Sequence, residues 1–308
     1  MKSIKFKSIF NLTLLFLITA TSANAQMPID GFFSEKGTFS FTTSYTNSKF
    51  DEFYVGEMKT GPVPAHNEIS QNIFSLYGTY AATDNLGLVV NLPYFSSNGD
   101  GAADPVNGET NQSDFQDLGL YAKYRFAQTN FEGGGINFLT ALGFTIPLGY
   151  EPNGILSNGG GSFNTDIGLG AQLNTDAGIF TSLIGSYSFR GSAEDNFGTN
   201  GGDDFEVPNA FLLNGKLGYA SNSFYIDAYV RYQSSSDGRD ITDMDFGGRF
   251  PETQVDYTII GLTTYVPFSP SFGASAGYGT VVDGRNLGDA NLFNVGLTYK
   301  FNNSSNDQ

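Results

Sequence analysis

Cysteine is absent from all 308 residues, which removes disulfide staples, thiolate chemistry and a lipid-modified cysteine together. Tryptophan is absent too, and the single histidine is His66. No zinc-type set of nitrogen and sulfur ligands can be assembled from one imidazole. Positive charge is scarce, with 15 Lys and Arg against 31 Asp and Glu and a net charge of −16. Nucleic acid is excluded as a partner, because its affinity rests on basic patches that neutralise phosphates. Long apolar runs are missing except near the start, where Lys2, Lys5 and Lys7 precede a mostly apolar Ile9 to Ala20 and the small-x-small sequence Ala23-Asn24-Ala25. About a dozen apolar residues fall short of the ~20 of a spanning helix and match a secretory signal. Residues 1–25 therefore read as a cleaved signal, with the mature chain starting at Gln26. Beyond it, a membrane could be crossed only by strands that close on themselves.

Abundance points the same way, since Gly 39, Tyr 17 and Phe 29 describe aromatic strands punctuated by turns. The apolar period is two, which in an extended chain sends alternate side chains to opposite faces. Leu118, Leu120, Ala122, Tyr124 and Phe126 share one face, while Lys123 and Arg125 lie on the other. Phe224, Ile226, Ala228, Val230 and Tyr232 oppose Asp227 and Arg231 in the same way. Twelve such segments are expected, near 37–46, 68–82, 86–95, 117–127, 136–150, 165–174, 179–190, 207–220, 223–233, 253–267, 271–281 and 292–301. Long polar connections (47–67, 96–116, 151–164, 191–206, 234–252, 282–291) alternate with short ones at 83–85, 128–135, 175–178, 221–222 and 268–270. An even strand count with long loops at one end and short turns at the other is the layout of an outer-membrane barrel. The fold expected is an all-β transmembrane antiparallel up-and-down barrel over 37–301, after an N-terminal segment or hatch at 26–36 and before a tail at 302–308. A soluble two-sheet sandwich also alternates; an oily face on nearly every strand favours the barrel, whose lipid-facing band must run all the way round.

Tyr45, Tyr80, Tyr94, Phe126, Tyr150, Phe189, Tyr219, Tyr232, Tyr265 and Phe301 fall near strand ends, where aromatic girdles would sit. The less apolar face carries Lys123, Arg125, Arg190, Lys216, Arg231 and Lys300 against Asp117, Asp166, Asp227 and Asp256. From these, Lys123, Arg125, Arg190, Lys216, Asp227, Arg231 and Asp256 are the expected pore-lining residues. Between them Gly143, Gly168, Gly170, Gly273, Ser275, Gly277 and Gly279 are small, as an open lumen would need.

Two other features suggest chemistry. Gly273-Ala274-Ser275-Ala276-Gly277 matches the nucleophile elbow, yet that motif needs a strand, a sharp turn and a helix, and here alternation runs on to Tyr278 and Thr280. The acidic clusters Glu194, Asp195, Asp203, Asp204, Glu206 and Asp237, Asp240, Asp243, Asp245 offer oxygen ligands without the fixed spacing of a calcium loop.

Several stretches carry a family likeness: Asn85 to Tyr94 (NLGLVVNLPY), Ser113 to Phe126 (SDFQDLGLYAKYRF), Thr145 to Gly154 (TIPLGYEPNG), and Gly284-Arg285-Asn286 followed by Gly296 to Phe301 (GLTYKF). In these the chain resembles the outer-membrane proteins named for the meta-pathway of phenol degradation, themselves distantly like the long-chain fatty-acid channels. The likeness departs at Asp114 and Gln116, where the family has glycines, and in the seven residues after Phe301. It implies a transporter of small aromatic or otherwise hydrophobic compounds and supplies no catalytic residues. The function expected is passive passage of small molecules across the outer membrane, without enzyme activity or cofactor. Its partners would be outer-membrane lipid and lipopolysaccharide, the barrel-assembly machinery and the solute. The competing reading is a structural or surface-binding barrel whose acidic loops hold cations.

Overall fold

The computed structural model describes residues 29–63, 65–152, 154–157, 159–194, 204–244, 246 and 248–302. The expected signal, Gln26 to Pro28, the tail from 303, and Asp195, Asp203 and Asp245 of the acidic clusters lie outside the described residues. Twelve long strands follow one another: β1 (Thr38–Phe50), β2 (Ile69–Thr83), β3 (Leu86–Gly99), β4 (Leu118–Phe131), β5 (Gly134–Ile146), β6 (Asn164–Thr175), β7 (Ile179–Arg190), β8 (Ala210–Ala220), β9 (Tyr225–Ser235), β10 (Asp256–Pro267), β11 (Phe272–Arg285) and β12 (Asn291–Asn302). Each pairs antiparallel with its neighbours in the chain, and β1 pairs with β12 from Thr38↔Asn302 to Lys49↔Asn291, so the sheet closes. Closure is what lets a sheet enter lipid, because no strand edge is left with unpaired amides.

At one end the strands are joined by tight turns, and at the other by six loops, of which the last, 286–290, is shorter than the expected 282–291 because β11 runs on to Arg285. The β4–β5 connection is shorter than expected. Phe131 pairs with Gly134 across Glu132-Gly133, and Gly133 takes φ 88°, the left-handed backbone that a two-residue hairpin turn needs. The loop end carries small extra elements: Asn111–Phe115 pairs with the end of β3, Phe53–Val55 pairs with Met58–Thr60, and Ser192–Ala193 pairs with Phe205–Glu206.

The outer surface follows the period-two reading. Leu76, Leu88, Val90, Leu120, Leu142, Ile167, Leu169, Leu183, Leu217, Ile260, Leu262 and Leu297 point outward and are exposed. Aromatic side chains flank this aliphatic belt, with Phe39, Tyr80, Tyr124, Phe126, Tyr219 and Phe301 near the turns and Phe74, Tyr94, Phe144, Phe189, Phe211 and Tyr232 near the loops. Two expected girdle members are elsewhere. Tyr150 follows the end of β5 and is buried against the loops, and Tyr265 occupies the inward phase of β10, facing the lumen.

Candidate functional site

The lumen of the barrel holds three cavities. An inner one of about 480 Å³ lies toward the turns, lined by Ser40, Thr42, Ser44, Tyr77, Lys216, Asp227, Ser275 and Lys300 among others. An outer one of about 730 Å³ lies toward the loops. A side chamber of about 280 Å³ is bounded by Ile29, Asp117, Tyr121, Asp166 and Arg190. Successive inward positions on β9 lead from the inner cavity (Tyr225, Asp227) to the outer one (Tyr229, Arg231, Gln233). The same succession runs along β10, from Tyr265 and Thr263 to Ile259 and Tyr257.

The first described residues run inside the barrel. Lys123 Nζ donates to Asp30 Oδ1 at 2.5 Å and to the Phe32 carbonyl at 2.5 Å, and the Phe33 ring lies 5.0 Å from it. Ile29 is buried against Leu139, Ala141 and Ile184, and Phe32 meets Phe180 edge-on at 5.0 Å. Burying an isoleucine is worth about 1.5–3 kcal/mol, and the half-buried Phe32 adds less. The polar half of the anchorage gains from the low exposure of the Lys123 side chain, 10%, since charge pairs strengthen away from water.

The expected pore-lining residues fall into three groups. Lys216 and Asp227 face the inner cavity as an ion pair at 3.3 Å, and the Tyr225 hydroxyl also donates to Asp227. Arg190 and Arg231 face the outer cavity. Lys123, Arg125 and Asp256 are on the wall of none of the three. Lys123 is held by the N-terminal segment. Arg125 binds the first turn through Asn85 Oδ1 at 2.8 Å and the Asp84 carbonyl at 3.0 Å. Asp256 accepts from the Ser235 amide at 2.7 Å and from Gln254 at 2.9 Å.

The inward glycines do not leave the empty room that their size suggests. A Cβ on Gly143 would meet the Tyr121 ring at 2.0 Å, one on Gly273 the Tyr265 hydroxyl at 2.1 Å, and one on Gly279 the Tyr229 hydroxyl at 2.5 Å. Aromatic side chains from nearby strands lie flat on the wall over these glycines, and Ile29 of the N-terminal segment covers Gly168 at 3.1 Å. Space in the lumen is therefore set by ring orientation as much as by residue size.

All six loops fold over the outer cavity and contribute to its wall. Three of them meet at the Gly284-Arg285-Asn286 stretch. Arg285 donates to both oxygens of Asp240, at 2.9 and 2.6 Å, while Asn286 Nδ2 donates to Asp240 Oδ1 at 2.9 Å and to the Gln254 carbonyl at 2.8 Å. Asn286 Oδ1 accepts from the Gly56 amide at 2.8 Å. Its backbone φ of 54° is one that asparagine tolerates better than most residues. Gly284 leaves room for Leu287 and Tyr54, whose atoms a Cβ would meet at 2.4 and 3.0 Å. The Arg285 side chain holds the Asp240 carboxyl below its usual pKa, with Asn286 helping and desolvation opposing. Nothing in the sequence marked this clamp except the family likeness of the three residues.

Ser275 is mid-strand in β11 and lines the inner cavity, so the strand-turn-helix setting of a nucleophile elbow is missing. His66 is buried at the loop end, next to Gly99. Asp240 is committed to Arg285, and among the described residues no three His, Asp or Glu gather as a metal-holding group.

No family model matches the chain, and no curated protein matches it. Among solved structures, the COG4313 outer membrane channel from Pseudomonas putida F1 is similar in fold, with a TM-score of 0.71 and 17% identity over 90% of this chain and 100% of that one. The translocator domain of the autotransporter NalP from Neisseria meningitidis scores 0.47 at 14% identity, over 87% of this chain and 90% of that one. The CymD monoaromatic hydrocarbon channel scores 0.44 at 8% identity, over 88% and 90%. Sheet closure, the aliphatic belt, the two aromatic girdles and the first of these likenesses together make the chain a β-barrel of the bacterial outer membrane.

Proposed function

We propose that the barrel is a passive channel for small molecules, with residues 29–36 seated in its lumen as a plug. The observation that carries this reading is the unfilled interior. A structural barrel of small bore packs its inside with side chains, whereas here cavities of about 480 and 730 Å³ follow each other along one wall. Lys216, Asp227, Arg190 and Arg231 line the path, and at its turn end Lys123 holds the plug, with the Arg125 guanidinium 5.1 Å from the Phe33 ring. Transport is diffusive. The meta-pathway likeness makes small aromatic compounds the first solutes to try.

Because β1 begins at Thr38, deleting residues 26–36 leaves every strand in place. In planar bilayers the intact chain is expected to give small steps, and the deletion variant larger ones. Lys123→Met, which releases Asp30 and the Phe32 carbonyl, should move conductance the same way by a smaller amount. Charge reversal at Lys216 should shift ion selectivity. A deletion variant that folds, inserts and stays silent would sink the channel reading.

A further inference from the structure

Among the described residues, the outer cavity differs from the rest of the lumen in the sign of the charges on its wall. The inner cavity has both signs, Asp30 and Asp227 with Lys216 and Lys300, and the side chamber sets Arg190 against Asp117 and Asp166. Among the described residues on the outer wall, the only ionisable side chains besides tyrosines are Arg190 and Arg231. The remainder of that wall is largely apolar, with Phe50, Phe53, Ile259 and Leu292 from both the barrel and its lid of loops. In a chain of net charge −16, a chamber whose described wall holds two guanidinium groups and no acid is a selective arrangement.

Arg190 has long attachments. Its guanidinium donates to two neutral acceptors, the Pro208 carbonyl at 3.3 Å and Gln233 Oε1 at 3.4 Å, and makes no ion pair among the described residues. The acids of the side chamber act on Arg190 only through space, and their hydrogen bonds go to other groups. Asp117 accepts from the Tyr150 hydroxyl at 2.6 Å, and Asp166 accepts from Thr145 at 3.3 Å. Gln233 and Arg231 are successive inward residues of β9, roughly 7 Å apart along the strand, so Arg231 adjoins the same region. A guanidinium with only long bonds to neutral oxygens can exchange them for the shorter, charge-assisted bonds of a carboxylate.

We propose that the outer cavity is a receptor for an amphipathic monoanion, a carboxylic acid with an apolar body, whose carboxylate is taken by Arg190. The apolar body lies against the aromatic and aliphatic wall. The inference deepens the channel reading and rests on it for its role in transport, while the binding step can be measured by itself.

The test uses the full mature chain in phosphatidylcholine nanodiscs, with empty discs subtracted, and calorimetric titration of 4-phenylbutyrate against 4-phenyl-1-butanol. These probes share an apolar body and differ in the head group. The acid is expected to bind about tenfold tighter or better, the gain of one charge-assisted pair. Arg190→Gln should erase the preference and leave the alcohol unchanged, while Arg190→Lys keeps most of it. Equal affinity for the two probes overturns the proposal, as does an undiminished preference in a folded Arg190→Gln. Loss of the preference in Lys300→Gln instead places the acid in the inner cavity, which also overturns it. Swelling of proteoliposomes in the same solutes reads flux separately. Flux without acid preference removes only this inference, and acid preference without flux removes only the channel.

Discussion

Tyr229 of β9 reaches across Gly261 of β10 to Gly279 of β11, and its ring lies where the inner cavity gives way to the outer one. Among the described residues its hydroxyl is buried without a hydrogen-bond partner. Removing that oxygen forfeits no bond, so Tyr229→Phe should change stability by less than about 1 kcal/mol and leave the current as it is. Gly279→Ala is a different matter. Its Cβ would lie 2.5 Å from the hydroxyl, with the next atoms at 3.5 Å, so the flexible ring yields and turns into the lumen while the strand stays. A smaller single-channel step is expected, with recovery in the double variant Gly279→Ala/Tyr229→Phe, which lacks the colliding oxygen. An unchanged step in Gly279→Ala would mean that this ring does not narrow the path.

At the scale of the element, lipid makes the strands legible. Hydrocarbon on the outer face of the belt tolerates no broken alternation, so the runs around Leu118 to Phe126 and Phe224 to Tyr232 announce themselves, and all twelve expected segments are strands. Ends are less legible because they depend on single residues, such as the left-handed Gly133 that lengthens the β4–β5 hairpin. The lumen is harder still. That Lys123 would be held by Asp30, 93 residues away, depends on where two inward faces meet, which period-two reading does not supply. The apolar content of Gln26 to Lys36 suggested only that it could tuck inside. The loop clamp is equally invisible, because Asp240, Arg285 and Gly56 come from three separate loops. Its chemistry nonetheless predicts a pH effect. A carboxylate whose folded pKa is depressed stabilises above its unfolded value, ordinarily near 4, and that contribution is lost as pH falls through the lower, folded pKa. The amides of Gly56 and Ile241, which both donate to Asn286 Oδ1, should therefore lose hydrogen-exchange protection below about pH 4, after correction for intrinsic rates. Asp240→Asn should show the loosened state already at pH 7, and full protection there would show that the loops are held by something else.

At the scale of the whole molecule, the acids of the chain are excluded from one region, the outward belt, and that exclusion makes a measurable demand. Leu169 and Leu183 project from the middle of β6 and β7 and are 62% and 56% exposed. For a water-soluble protein, arginine at such positions would be harmless or even favourable. Against hydrocarbon it must be desolvated or must thin the bilayer, at a cost of roughly 2–4 kcal/mol near the midplane and much less toward the interfaces. Leu169→Arg and Leu183→Arg should each lower the free energy of folding into vesicles by that amount, read from reversible urea unfolding. Met58→Arg, in a loop hairpin where the side chain is 69% exposed, should change it by less than about 0.5 kcal/mol. The contrast between two similarly exposed sites separates lipid from water as the outer solvent. Should the two leucine variants prove as mild as the methionine one, the aliphatic ring would have to face something other than a membrane, and the barrel's interior would no longer connect two compartments.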